Sequence, residues 1–170
     1  MANYPDITVG DPVTADLLVS MLPQWARKSS DQSVTSSTTL VNDSELFLPM
    51  VTNASYFYTG WMLYTGGSNT PDLKLNYFIP TGATILRSDW GHDAGTVSVT
   101  SSIDVSVLAN TDRSLGAGSA ATVIRSIYSQ GEIITAGTAG NFQVRFAQNT
   151  SDAAAITMKA GSRIMLTRYA

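Results

Sequence analysis

The sequence predicts an all-β protein: an antiparallel, jelly-roll-like β-sandwich preceded by a short N-terminal arm that carries one short helix. Three observations lead there. Polarity comes from Ser, Thr, Asn and Gln, while charged residues make up 14% of the 170 positions, against roughly a quarter in ordinary domains. From Ser29 onward apolar residues recur at every second position. Segments rich in Gly, Pro and Asn interrupt these runs at fairly even intervals.

The alternation is clearest in four places. Leu73, Leu75, Tyr77 and Ile79 are separated by Lys74, Asn76 and Phe78; Ile103, Val105 and Val107 by Asp104 and Ser106. Phe142, Val144 and Phe146 flank Gln143 and Arg145, and Ile164 and Leu166 lie among Arg163, Met165 and Thr167. A period of two is the signature of a strand with one buried face. Residues Ala54 to Thr65, rich in Tyr, Phe and Trp, form the longest candidate. Both of its faces are largely apolar, which predicts burial on both sides. Turn signals follow at Thr65–Pro71, Pro80–Gly82, Gly91–Gly95, Leu115–Gly118 and Ala136–Gly140. Eight to ten strands at this spacing predict a two-sheet sandwich.

The first residues differ. Pro5, Pro12 and Pro23 punctuate them, and between the last two lies a helical pattern of Ala15, Leu18, Val19 and Leu22, with Thr14 suited to cap it. Pro23 limits the run to about two turns, too short to persist without a surface to pack on. The expected organisation is therefore an attachment arm over residues 1–28 and a β-sandwich domain over residues 29–170. The arm either covers the core or docks on a neighbouring subunit. Met1 to Gly10 lack the pattern of a secretory leader, and no stretch of about 20 apolar residues could span a membrane.

The search for chemistry excludes more than it finds. A net charge of −3 with scattered Lys and Arg gives no basic patch for nucleic acid. The absence of cysteine removes disulfides, thiolate catalysis and cysteine-based metal sites. His92 is the single histidine, in Asp89-Trp90-Gly91-His92-Asp93, which reads as an exposed loop. No Gly-x-Ser-x-Gly elbow accompanies it. Asp89, His92 and Asp93 are too few and too closely spaced for a structural zinc site. Glu45 and Glu132 are the only glutamates, and the aspartates mostly fall in turn-like segments, so no acid pair stands out for glycoside hydrolysis. No catalytic residue, metal site or cofactor is expected, and the protein is read as not an enzyme.

What remains are candidates for intermolecular contact. In the arm these are Leu17, Leu18, Met21, Leu22 and Trp25. In the longest strand candidate they are Tyr56, Tyr58 and Trp61, whose spacing suits core or subunit interface better than a sugar-stacking platform. Trp90 completes the set, because Trp is enriched where proteins bury contact surface.

The order of several motifs adds a resemblance. The stretch from Lys28-Ser-Ser-Asp-Gln-Ser-Val-Thr-Ser-Ser-Thr-Thr-Leu-Val-Asn-Asp-Ser-Glu-Leu into Asn53-Ala-Ser-Tyr-Phe is followed by Asp72-Leu-Lys and Ile79-Pro-Thr-Gly-Ala-Thr. The close is Gly137-Thr-Ala-Gly-Asn-Phe-Gln-Val-Arg-Phe-Ala-Gln-Asn-Thr-Ser, then Lys159-Ala-Gly-Ser-Arg-Ile. Over most of Lys28 to Tyr169 this resembles virion structural proteins of actinobacterial tailed phages, namely capsid decoration proteins or the globular ends of minor tail and fibre proteins. The resemblance implies a compact β-sandwich, commonly trimeric, on the outside of the particle, with no catalytic residues to carry over. A fibre needs a long shaft and this chain has only a short arm, so decoration is favoured. The expected partners are two further copies of the chain and the phage's major capsid protein. For the tail or fibre alternative, a host-surface glycan is the expected partner.

Overall fold

The computed structural model describes Pro5 and residues 7–68, 70–94, 103–118 and 120–170. The expected turn residue Gly95 and the Thr- and Ser-rich run Thr96–Ser102 lie outside the described residues, as do the faces on which Ile103, Val105 and Val107 lie. The fold is all-β with one short helix, α1 (Ala15–Ser20). Twelve strands are described: β1 (Gln24–Arg27), β2 (Gln32–Val34), β3 (Val41–Met50), β4 (Ser55–Gly66), β5 (Leu73–Phe78) and β6 (Thr84–His92), then β7 (Ile103–Leu108), β8 (Arg113–Leu115), β9 (Arg125–Ile134), β10 (Gly140–Gln148), β11 (Ile156–Met158) and β12 (Arg163–Arg168). The number exceeds expectation because β2, β8 and β11 are three-residue strands.

Two antiparallel sheets pack face to face. The larger runs β1-β12-β4-β9-β6-β7, with β11 pairing the end of β4 and β2 pairing β11. The smaller runs β3-β10-β5-β8. Between them the core is aromatic at its centre. Tyr58 of β4 lies 5.5 Å from Tyr77 of β5 and 4.8 Å from Phe142 of β10, ring centre to ring centre. Leu46, Met62, Leu75, Ile127 and Leu166, all fully buried, extend that core along both sheets.

Strand β4 departs from the expectation of burial on both sides. Tyr56, Tyr58, Met62 and Tyr64 point into the core, while Phe57 and Trp61 remain on an exposed outer face. The strand is central by hydrogen bonding, flanked by β9 and β12. Nothing among the described residues forms a third layer over it.

Backbone constraints fix two of the connections. The turn Pro80–Ala83 closes with the Ala83 amide donating to the Pro80 carbonyl at 3.0 Å, and Gly82 takes φ +82°, a conformation costly for residues with a Cβ. In the connection that carries the chain from β3 of the small sheet to β4 of the large one, Asn53 adopts φ 51°, which Asn tolerates better than most side chains. Thr135 fastens that connection: its hydroxyl donates to the Val51 carbonyl at 2.8 Å and accepts from the Ala54 amide at 2.8 Å.

The boundary drawn after residue 28 falls inside the folded body. β1 pairs with β12 from Gln24 to Arg27, and the Lys28 amide donates to the Ser162 carbonyl at 2.8 Å. The arm therefore ends at Pro23. Within it α1 sits where its periodicity placed it, capped by the Thr14 hydroxyl, which accepts from the Leu17 amide at 3.2 Å. None of its six residues is buried.

Candidate functional site

Pairing register places one row of side chains across the outer face of the large sheet. Arg27 pairs with Arg163, Arg163 with Trp61, Trp61 with Tyr128, and Tyr128 with Trp90. Residues directly opposite on neighbouring strands share a face and touch, so five strands contribute one continuous row. Four interstrand steps of about 4.8 Å make it roughly 19 Å long. The Arg163 guanidinium lies over the Trp61 ring at 4.6 Å, and the Trp90 and Tyr128 rings are 5.4 Å apart, tilted by 47°.

Two shallow depressions flank this row. One, of about 330 Å³, lies between Trp25, Trp61, Arg163 and Met165; the other, of about 220 Å³, lies between Trp61, Trp90, His92 and Tyr128. Trp61 and Tyr128 form the ridge between them. Trp25 is 62% exposed and Tyr128 43% exposed, so aromatic edges and faces are open to a partner. Hydrogen-bonding capacity at the rim comes from Arg163, Ser126 and His92. Burial, and secondarily the nearby Arg125 charge, holds the His92 imidazole below its ordinary range.

The sequence candidates divide accordingly. Trp25, Trp61 and Trp90 come together on this face, and Tyr128 is the member that sequence reasoning missed. Leu17, Leu18, Met21 and Leu22 lie in the uncovered arm, with Leu22 63% exposed. Tyr56 and Tyr58 are corrected to core residues. The period of two turns them inward, where they are 1% and 0% exposed. The segment around His92 is also corrected, since Asp89 to His92 belong to β6 and not to a loop.

That correction decides the fate of the histidine-centred arrangements. On β6, Ile85, Arg87, Asp89 and Gly91 face inward, while Trp90 and His92 face outward. Asp89 and His92 therefore lie on opposite sides of the sheet and share neither a proton nor a metal ion. Among the described residues no group of three His, Asp or Glu side chains is placed to hold one.

Inside the sandwich Asp89 belongs to a polar cluster. The Ser129 hydroxyl donates to Asp89 Oδ1 at 2.6 Å, and Tyr77 donates to Ser129 at 2.8 Å. A hydroxyl carries one proton. The Tyr58 hydroxyl, 3.0 Å away, is thus a second donor to Ser129. Burial raises the pKa of both tyrosines far above the ordinary value, which keeps them as donors. Arg87, 1% exposed, lies 3.3 Å from Asp89 Oδ2 through Nε, donates to the Thr111 carbonyl at 2.6 Å and sits 4.7 Å from the Tyr77 ring centre. The cluster joins β4, β6 and β9 of the large sheet to β5 of the small one.

A second buried pair closes the base of the arm. Lys28 Nζ lies 2.9 Å from Asp43 Oδ2, with both side chains 0% exposed. Partly exposed Glu45 stands 3.8 Å from the same nitrogen. Glu45 accepts hydrogen bonds from the amides and hydroxyls of Ser29 and Ser30, and these lower its pKa to about 2.

No family model matches the chain, and no curated protein matches it. Among solved structures it is similar to chains of infectious bursal disease virus. Against the Gx strain the TM-score is 0.23 at 6% identity, covering 86% of this chain and 40% of that one. Against the VP2 subviral particle it is 0.25 at 7%, covering 87% and 42%. For the Gt strain it is 0.22 at 9%, covering 86% and 41%. The chain spans about two fifths of those chains. TM-scores of this size do not establish a shared fold.

Proposed function

We propose that this chain is a non-enzymatic structural protein of a phage virion, a homotrimeric decoration protein that binds the outer capsid surface and stabilises the shell. The observation that carries the reading is the arm. It presents Leu18 and Val19 on a helix of six residues with none buried, and Met21 and Leu22 just after it, all at 48–65% exposure. So short a helix gains its stability from packing, and its apolar side chains find that packing on another molecule. The outer face of the large sheet adds Trp25, Phe57, Trp61 and Leu86, exposed by 37–62%. Extended exposed apolar surface of this kind marks a protein contact site.

In this reading the sheet face joins copies of the chain and the arm grips the major capsid protein. Binding the assembled shell, and not its free subunits, shifts the equilibrium toward the intact particle by mass action. The test is removal of residues 1–22, which stops short of β1. The truncated protein is expected to keep its unfolding transition and lose binding to undecorated capsids. Equal occupancy of truncated and full-length protein would remove the arm from the attachment role.

One observation favours a second reading, a tail or fibre component with a carbohydrate-binding face. The row Trp61–Tyr128–Trp90 offers ring faces between two depressions, with polar groups at the rim. A glycan array separates the two readings. Binding that is abolished by Trp61→Ala supports the receptor reading, and absence of binding counts against it.

A further inference from the structure

The Lys28–Asp43 pair has the geometry of a reaction as well as that of an ion pair. Asp43 Oδ1 accepts the backbone amides of Glu45 and Leu46, each at 2.9 Å, and lies 3.1 Å from Lys28 Nζ. Two amides aimed at one carboxyl oxygen form the donor pair that stabilises an oxyanion when a carbonyl carbon is attacked. Oδ2 differs: it has no aligned hydrogen-bond partner among the described residues, yet it is 2.9 Å from Nζ. A nitrogen this close to both oxygens lies about 3–3.5 Å from the carbon between them, the separation of a near-attack arrangement. Both side chains are sealed from water. Transfer of one proton from Nζ to Oδ2 turns the pair into an amine beside an acid, the form in which the nitrogen lone pair is free to attack.

We propose that Lys28 and Asp43 condense into an intramolecular isopeptide bond. The Nζ lone pair attacks Cγ, so that negative charge develops on Oδ1 between the two amides and positive charge on Nζ. Nζ then faces the Glu45 carboxylate at 3.8 Å and Gln32 Oε1 at 3.4 Å. The Cγ–Oδ2 bond breaks, and Oδ2 departs as water with two protons taken from the ammonium. One proton stays on the amide nitrogen. No oxidant, metal or co-reactant is required. Lys28 directly follows β1 of the large sheet and Asp43 lies on β3 of the small sheet. The bond thus ties the two sheets together where the arm leaves the body, and a pull on the arm is borne by a covalent link.

The test is the intact mass of the full chain under denaturing conditions, followed by tryptic digestion. Condensation makes the protein lighter by one water than its sequence requires. Trypsin cuts after Arg27 and next after Lys74, because a linked Lys28 is no longer a cleavage site. The expected product is a peptide from Lys28 to Lys74, lighter by one water, with no peptide beginning at Ser29. The Lys28→Arg variant keeps a cation beside Asp43 but removes the amine, and its mass is expected to equal that of its sequence. An unmodified wild-type mass overturns the proposal. So does a lost water in a peptide beginning at Ser29, or one that persists in Lys28→Arg.

Discussion

Replacing Asp89 by Asn tests the buried ion pair at the heart of the polar cluster between the sheets. The substitution keeps the size of the side chain and an oxygen for the Ser129 hydroxyl, which donates at 2.6 Å. What it removes is the negative charge beside Arg87, a guanidinium 1% exposed with Nε 3.3 Å from Asp89 Oδ2. Breaking a buried pair from one side costs about 3–5 kcal/mol, because the remaining charge has lost its counter-ion and cannot reach water. The hydrogen bond to the Thr111 carbonyl and the Tyr77 ring offset part of this, which places the expectation near the lower end, about 3 kcal/mol. For a domain of this size that lowers Tm by roughly 6–12 °C. Adding Arg87→Met removes the stranded charge, so the double variant is expected to be more stable than Asp89→Asn alone, with a coupling of about 1–3 kcal/mol. Urea unfolding of the wild type, both single variants and the double variant measures it. A single variant within about 0.5 kcal/mol of wild type, or a double variant less stable than Asp89→Asn, would refute the reasoning.

Two further outcomes follow from the geometry. Gly131→Ala puts a Cβ 2.2 Å from the Leu86 carbonyl oxygen and 2.8 Å from Arg87 Cα; β6 and β9 must separate, and thermal unfolding is expected to show a loss of about 1–3 kcal/mol. Glu45 has a folded pKa of about 2, below its ordinary 4.5, chiefly through Ser29 and Ser30, so its contribution is present above about pH 4.5 and is lost as pH falls toward 2. Stability measured across that window should fall less steeply in Glu45→Gln, and identical slopes would contradict the assignment.

How far the fold was legible depended on what each strand buries. β5, β10 and β12 turn Leu75, Phe142 and Ile164 inward, so their alternation reads directly from the sequence. β6 and β9 do not read this way, because Arg87, Asp89, Ser129 and Gly131 occupy inward positions. Strand β3 hides in the same manner behind Asp43. A polar residue on a buried face breaks the pattern unless its partner is known, and the partners lie far off: Ser129 is 40 positions from Asp89, and Lys28 is 15 from Asp43. Gly91, at an inward position of β6, made the segment around Trp90 and His92 read as a loop. Trp25, Trp61 and Trp90 were legible as candidates by their type, but their alignment with Tyr128 follows from strand register. No local feature could have supplied it. Tyr56 and Tyr58 stood among the contact candidates because a strand with large side chains on both faces does not reveal which face is covered.

Sedimentation equilibrium of the full-length protein at micromolar concentration tests the central claim of assembly most directly, with Trp61→Ala run beside it. Self-association through the outer face of the large sheet predicts about three times the monomer mass for the wild type and a shift toward monomer for the variant. A wild-type protein that sediments as a clean monomer would contradict it.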